Sequence, residues 1–189
     1  MLSACGDALS APAAVVDGSR ISTDTLGREL DVLLLDPQLR QQVSGARGDE
    51  ARKDLTRRLL AFLIQLRLVE GYATANAISV TSAEVDLALE RTIQGIGGQS
   101  EFDRELRTRG LSLGAVRRNL ERQVLFDEVI ESLAARAGFA STASRQEKES
   151  AFQEWMTGRL RSADIEVNPR FGRLDPASGR VVPIRSTAP

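Results

Sequence analysis

From Asp49 to Ala77 the chain alternates charged and apolar residues at helical spacing, and the run Leu59–Val69 (LLAFLIQLRLV) is apolar at nine of eleven positions. Leu55, Leu59, Phe62, Leu66, Val69 and Ala73 keep the three-or-four spacing of one helix face, and Leu60, Ile64 and Leu68 widen it into a second. A helix apolar over so much of its circumference needs neighbours on several sides. Twenty-nine residues would span about 43 Å, long enough to serve as the spine of a helical domain. Gln65 and Arg67 interrupt the run, which is about half the length a bilayer requires.

Around this spine the pattern predicts shorter elements. Ala13–Val16 is β-prone and ends in Asp17-Gly18, the dipeptide of a tight type I′ hairpin turn. Ser22 or Thr23 caps a helix carrying Leu26, Leu30, Leu33 and Leu34, which Asp36-Pro37 stops. After the spine, Ile78-Ser79-Val80 reads as extended and Thr81-Ser82-Ala83-Glu84 as a capping box opening a helix with Val85, Ala88, Leu89, Thr92 and Ile96 inside. Gly95, Gly97 and Gly98 close it. A short helix with Phe102 and Leu106 follows up to Gly110, then one capped by Ser112 that carries Val116, Leu120, Val124, Ile130 and Leu133. Ser144 and Glu147 form another capping box, and Ala151, Phe152, Trp155, Met156 and Leu160 form the stripe of a last helix over 145–161. Ile165 and Val167 alternate with Asp164 and Glu166 in a half-buried strand over 164–168, ended by Asn168-Pro169. Strands this short need a partner, so Val15-Val16 and Ile165–Val167 are expected to pair. The expected division is a tether over 1–12, a helical domain over 13–171 and a loose tail over 172–189.

Composition narrows the chemistry. A net charge of -1 with 4% aromatic residues supplies neither the basic field nor the stacking rings of a nucleic-acid binder. The chain has no histidine, which removes histidine-based triads and metal sites, and its single cysteine removes internal disulfides and cysteine metal clusters. No glycine-rich phosphate motif is present, so no cofactor and no ATP are expected. The six arginines between Arg104 and Arg122 have Asp103, Glu105 and Glu121 among or beside them, the mark of a solvated helix face. Glu84, Asp86 and Glu90 are the acidic groups an enzyme would have to use, but helical spacing sets them on a solvated face too.

The first residues, Met1-Leu2-Ser3-Ala4-Cys5-Gly6, contain Leu-Ser-Ala-Cys, which resembles the lipobox of bacterial lipoproteins. The resemblance implies a lipid on Cys5 and an extracytoplasmic protein anchored to the membrane through it. The charged and apolar regions that precede such a box in a signal peptide are absent, so either the true start lies upstream of Met1, which is the expectation, or the cysteine is incidental. Asp7–Ala14 reads as a short tether.

The order of parts carries a second resemblance. A VVDGSRIS opening, the long LLAFLIQLRLVE helix, the link ISVTSAEVD and the segment EFDRELRTRGLSL together resemble the N-terminal chaperone domain of SurA-like proteins over about Val15–Ala137. The resemblance implies a mainly α fold with a long central helix and a small two- or three-stranded β element joining the N- and C-terminal segments. It further implies that the domain holds unfolded or extended polypeptides. The parvulin prolyl-isomerase domains of many members would need more than the fifty or so residues after Gly138 and resemble one another in using histidines, so an isomerase activity is not carried over. Ile93, Ile96, Phe102, Leu106, Leu125 and Phe126 lie on helices whose inner faces are already supplied. They are the candidate lining of an exposed peptide-binding groove, with burial in the core as the alternative. A scaffold for one specific envelope partner shares every one of these features. None of them specifies an oligomeric state.

Overall fold

The computed structural model describes residues 11–184. Their elements, in order, are β1 (Ala14–Val16), β2 (Ser19–Ile21), α1 (Thr23–Leu33), α2 (Pro37–Gln42), α3 (Gly48–Ala75), α4 (Ser82–Ile96), α5 (Gln99–Arg109), α6 (Leu113–Arg136), α7 (Arg145–Ser162), β3 (Ile165–Val167), β4 (Arg173–Asp175) and β5 (Arg180–Val182). The mainly α fold with a long central helix and a small sheet is therefore present. Asp36-Pro37 does end α1, but Pro37 also opens the short α2, where its missing N–H costs nothing because the first turn of a helix leaves that donor unpaired. No helix among the described residues is long and apolar enough to cross a membrane.

The chain clusters into two compact units: one contains the residues up to Leu34 together with Gln38–Arg67 and the residues from Arg159 on, and the other contains Leu35–Pro37 and Leu68–Gly158. In the first, the sheet order is β2-β1-β3, with β1 antiparallel to both neighbours. Asp17 and Gly18 adopt φ of 47° and 78°, the left-handed pair of a type I′ turn, so Val16 stands opposite Ser19. On its other side β1 pairs Ala14 with Val167 and Val16 with Ile165, which joins the two ends of the described chain in one sheet. Asp17 reinforces the join: its carboxylate accepts from Arg159 Nη2 at 2.6 Å and from the Asp164 N–H at 3.0 Å. Ala14, Val16, Ile21, Leu26 and Leu30 are buried, as are Leu60 and Ile64 of α3, each at 0% exposure.

The segment expected to be a loose tail is folded over most of its described length. β4 and β5 form an antiparallel hairpin, Leu174 opposite Val181, across the turn Pro176–Gly179. Asp175 organises that turn by accepting from Ser178 Oγ at 2.5 Å and from the Ala177 N–H at 3.2 Å, while its carbonyl accepts from the Gly179 N–H at 2.8 Å. Those bonds, the Ser178 hydroxyl first, hold the Asp175 carboxyl below its ordinary pKa. Burial of Val181 then gives the hairpin an apolar contact.

The second unit is helical. Leu68, Val69, Ala73, Val85, Phe102, Leu120, Val129, Leu133, Ala134, Phe152 and Met156 are its buried apolar residues. Tyr72 meets Trp155 edge-on with ring centroids 5.1 Å apart, and Phe152 lies 5.9 Å from both Trp155 and Phe126. Three of the arginines of α5 and α6 are engaged with acids: Arg104 with Glu101, Arg109 with Glu105, and Arg117 with Asp86 at 2.6 Å. Lys148 reaches Glu131 at 2.8 Å and pins the start of α7 to α6.

Candidate functional site

Helix α3 ends by a left-handed residue at a position where glycine is usual. Ala77 takes φ of 54°, the Ile78 N–H returns to the Ala73 carbonyl at 2.9 Å, and Asn76 Nδ2 donates to the Tyr72 carbonyl at 2.7 Å. Four residues later Thr81 caps α4. Its hydroxyl accepts from the Glu84 N–H at 3.3 Å, and the Glu84 carboxylate accepts from the Thr81 N–H at 2.7 Å. Between these two stops Ile78-Ser79-Val80 has nowhere to go but extended. Among the described residues no hydrogen bond engages the backbone of Ser79 or Val80.

This extended link forms one wall of a cleft of about 410 Å³, closed by Ala73 and Thr74 of α3 and by Arg118, Glu121, Arg122 and Leu125 of α6, with Glu70 at one end. Its lining combines the apolar Ala73, Ile78, Val80 and Leu125 with side chains of both charges, Glu70, Arg118, Glu121 and Arg122. An extended backbone open to solvent, set in a cleft of mixed apolar and charged lining, has the elements for main-chain pairing with an extended polypeptide.

Of the six residues singled out in the sequence, only Leu125 lines this cleft. Phe102 does not line a surface at all: it is 3% exposed and is the buried anchor of α5, because an eleven-residue helix between two glycine turns has few other apolar groups to hold it down. Phe126 is half-buried against the Phe152 ring, Ile93 and Leu106 are half-buried, and Ile96 is 40% exposed at the end of α4. Ile78 and Val80 were missed as lining. Their signal was the β-branched pair standing between a helix end and a capping box. Cys5 lies outside the described residues.

Residues 3–130 match the family model of the SurA-like N-terminal domain. The chain belongs to that family. No curated protein matches it. The match takes in β1 through most of α6, and with them the cleft, whereas α7 and β3–β5 follow it. The SurA-like N-terminal domain is a chaperone-type, non-catalytic domain, and no parvulin domain is matched in the chain. Two of the three acids that an enzymatic reading would have used have structural tasks in this SurA-like domain. Glu84 is held below its ordinary pKa by the Thr81 N–H and then the Thr81 hydroxyl, and Asp86 is paired with Arg117.

Proposed function

We propose that this protein is a cell-envelope lipoprotein that binds unfolded or extended polypeptides as an ATP-independent, holdase-type chaperone. The observation that carries the binding role is the cleft beside Ile78–Val80, which lies within the family match and combines apolar side chains with an extended backbone that, among the described residues, makes no backbone hydrogen bond at Ser79 or Val80. Main-chain pairing is blind to side-chain identity, and apolar contacts are tolerant of it, so such a cleft suits many clients. Light scattering of an aggregating client protein tests the reading. Wild type should suppress scattering, and Ile78→Ser and Leu125→Ser, on half-buried positions, should each weaken suppression several-fold while keeping their helical circular dichroism. A wild type that never suppresses aggregation, together with recovery of a single stoichiometric partner from the envelope, would replace this reading by that of a dedicated scaffold.

The anchor belongs to the same proposal. Leu2-Ser3-Ala4-Cys5 supports diacylation of Cys5, and two acyl chains suffice for stable membrane attachment. Expressed from a start that supplies a signal peptide, the mature protein should carry a diacylglyceryl group by intact mass, and Cys5→Ser should move it to the soluble fraction. An unmodified Cys5 in membrane-associated protein would refute the anchor.

A further inference from the structure

We infer a second polypeptide site, specific for extended segments that carry carboxylates, in the groove between strand β5 and helix α3. The groove has a volume of about 410 Å³, and its strand side is formed by the consecutive residues Ser178 to Pro183. Successive residues of a strand point to opposite faces of a sheet, so a cleft against a face is lined by every second residue. Lining by every residue in turn marks a cleft that runs along the edge. Among the described residues that edge has no partner strand, since β5 pairs only with β4 in a two-stranded sheet. The opposite wall is α3, from which Gln65 Nε2 donates to the Gly179 carbonyl at 3.3 Å and closes one end of the groove. Gly179 is required at that end: a Cβ there would stand 3.0 Å from Leu160 Cδ1 and 3.2 Å from Gln65 Nε2, on a residue already at φ of 66°.

Charge selects the occupant. Three arginines line the groove, Arg57, Arg58 and Arg180, against one carboxylate, Asp54. Asp54 is occupied by Arg57, which also meets Glu50 at 3.0 Å. Burial alone would lower the Arg57 pKa, but hydrogen bonds and charge from Asp54 and Glu50 outweigh it and raise it, so this cation is a fixed part of the wall. Arg58 and Arg180 have no ion-pair partner among the described residues. They are left to face a ligand on the two sides of the groove. Phe62, 41% exposed and with contacts of its own, is also among the groove's α3 residues. A free strand edge, a helix wall with an aromatic ring, and two available arginines fit an added β-strand that alternates apolar and acidic side chains. The inference rests on the polypeptide-binding reading but uses a different surface from the cleft at Ile78–Val80.

The test uses a short end-blocked peptide alternating Val and Glu, its Val/Lys counterpart, and a version with prolines at alternate positions, against the full chain. Fluorescence anisotropy should show binding of the Glu peptide alone. Arg58→Glu with Arg180→Glu should weaken it at least about tenfold and transfer binding to the Lys peptide. Amide hydrogen exchange should slow at residues 178–183 when the Glu peptide is added. Protection confined to Ile78–Val80, or an affinity indifferent to the charge reversals, would overturn the groove and leave the polypeptide-binding reading standing. Concentration-dependent dimerisation that competes with the peptide and protects the same amides would overturn it too, in favour of a second copy as occupant. Capture of the Glu peptide at β5 by a protein that suppresses no client aggregation would instead support the groove and refute the holdase.

Discussion

At the scale of single residues, the run Leu59–Val69 divides between burial and display. Leu60 and Ile64 are both 0% exposed, yet Phe62, between them in sequence, is 41% exposed. Ile64→Ala should therefore cost about 2–5 kcal/mol, the cavity penalty of a sealed site, read from the urea midpoint at constant slope. Glycine supplies the opposite sign. Gly71 sits inside α3 with no atom within 4 Å of where a Cβ would stand, so Gly71→Ala should raise stability by about 0.5–1 kcal/mol in the same titration. At Gly172 the same change would drive a Cβ into the Val182 carbonyl at φ of 129°, and the hairpin would have to open. Which glycine is spare and which is structural depends on the atoms that tertiary structure brings to each, the Val182 carbonyl at Gly172 and none at Gly71.

At the scale of elements, caps decide where helices begin, and two of them titrate. Glu84 serves Thr81 in α4, and Glu147 accepts from the Ser144 hydroxyl at 2.7 Å and the Ser144 N–H at 2.8 Å at the start of α7. Both carboxyls are depressed below their ordinary 4.5, Glu84 chiefly by the Thr81 N–H and Glu147 chiefly by the Ser144 hydroxyl. A depressed carboxyl binds its proton more weakly in the folded chain than in the unfolded one. The stability it contributes is therefore complete above 4.5 and is lost as pH falls through the lower folded value. Thermal unfolding from about pH 6 down to about pH 3 should show that loss, and the double variant Glu84→Gln/Glu147→Gln should flatten it. A double variant with the wild-type pH profile would mean that other carboxylates carry the acid sensitivity.

At the scale of the whole molecule, the family match and the folded structure do not end at the same place. The match stops at residue 130, but β3, at 165–167, completes the sheet that β1 begins, and Arg159 and Asp164 both fasten to Asp17. In this protein the segment after the family domain is part of the unit that holds its first strand. That arrangement places β1, the first strand of the described residues, in the middle of a three-stranded sheet. It also presents the β4–β5 hairpin beside α3, where the second polypeptide site is inferred.

Local signals determined a large share of this. The caps at Ser22, Thr81, Ser112 and Ser144, the type I′ turn at Asp17-Gly18, the glycine stops at Gly97 and Gly110 and the long apolar helix all follow from interactions within a few residues, which a linear reading contains. The pairing of β1 with β3 was legible as well, because two strands too short to stand alone require one another. Tertiary structure alone decided which surplus apolar residues were buried. Phe102 and Leu125 have the same helical credentials in sequence, but one anchors α5 and the other lines the cleft, since burial depends on where neighbouring elements leave room. The same holds for the hairpin β4–β5 and its groove. The turn bonds of Asp175 and the apolar contact made by Val181 hold that hairpin in place, and the burial of Val181 depends on the elements that pack around it.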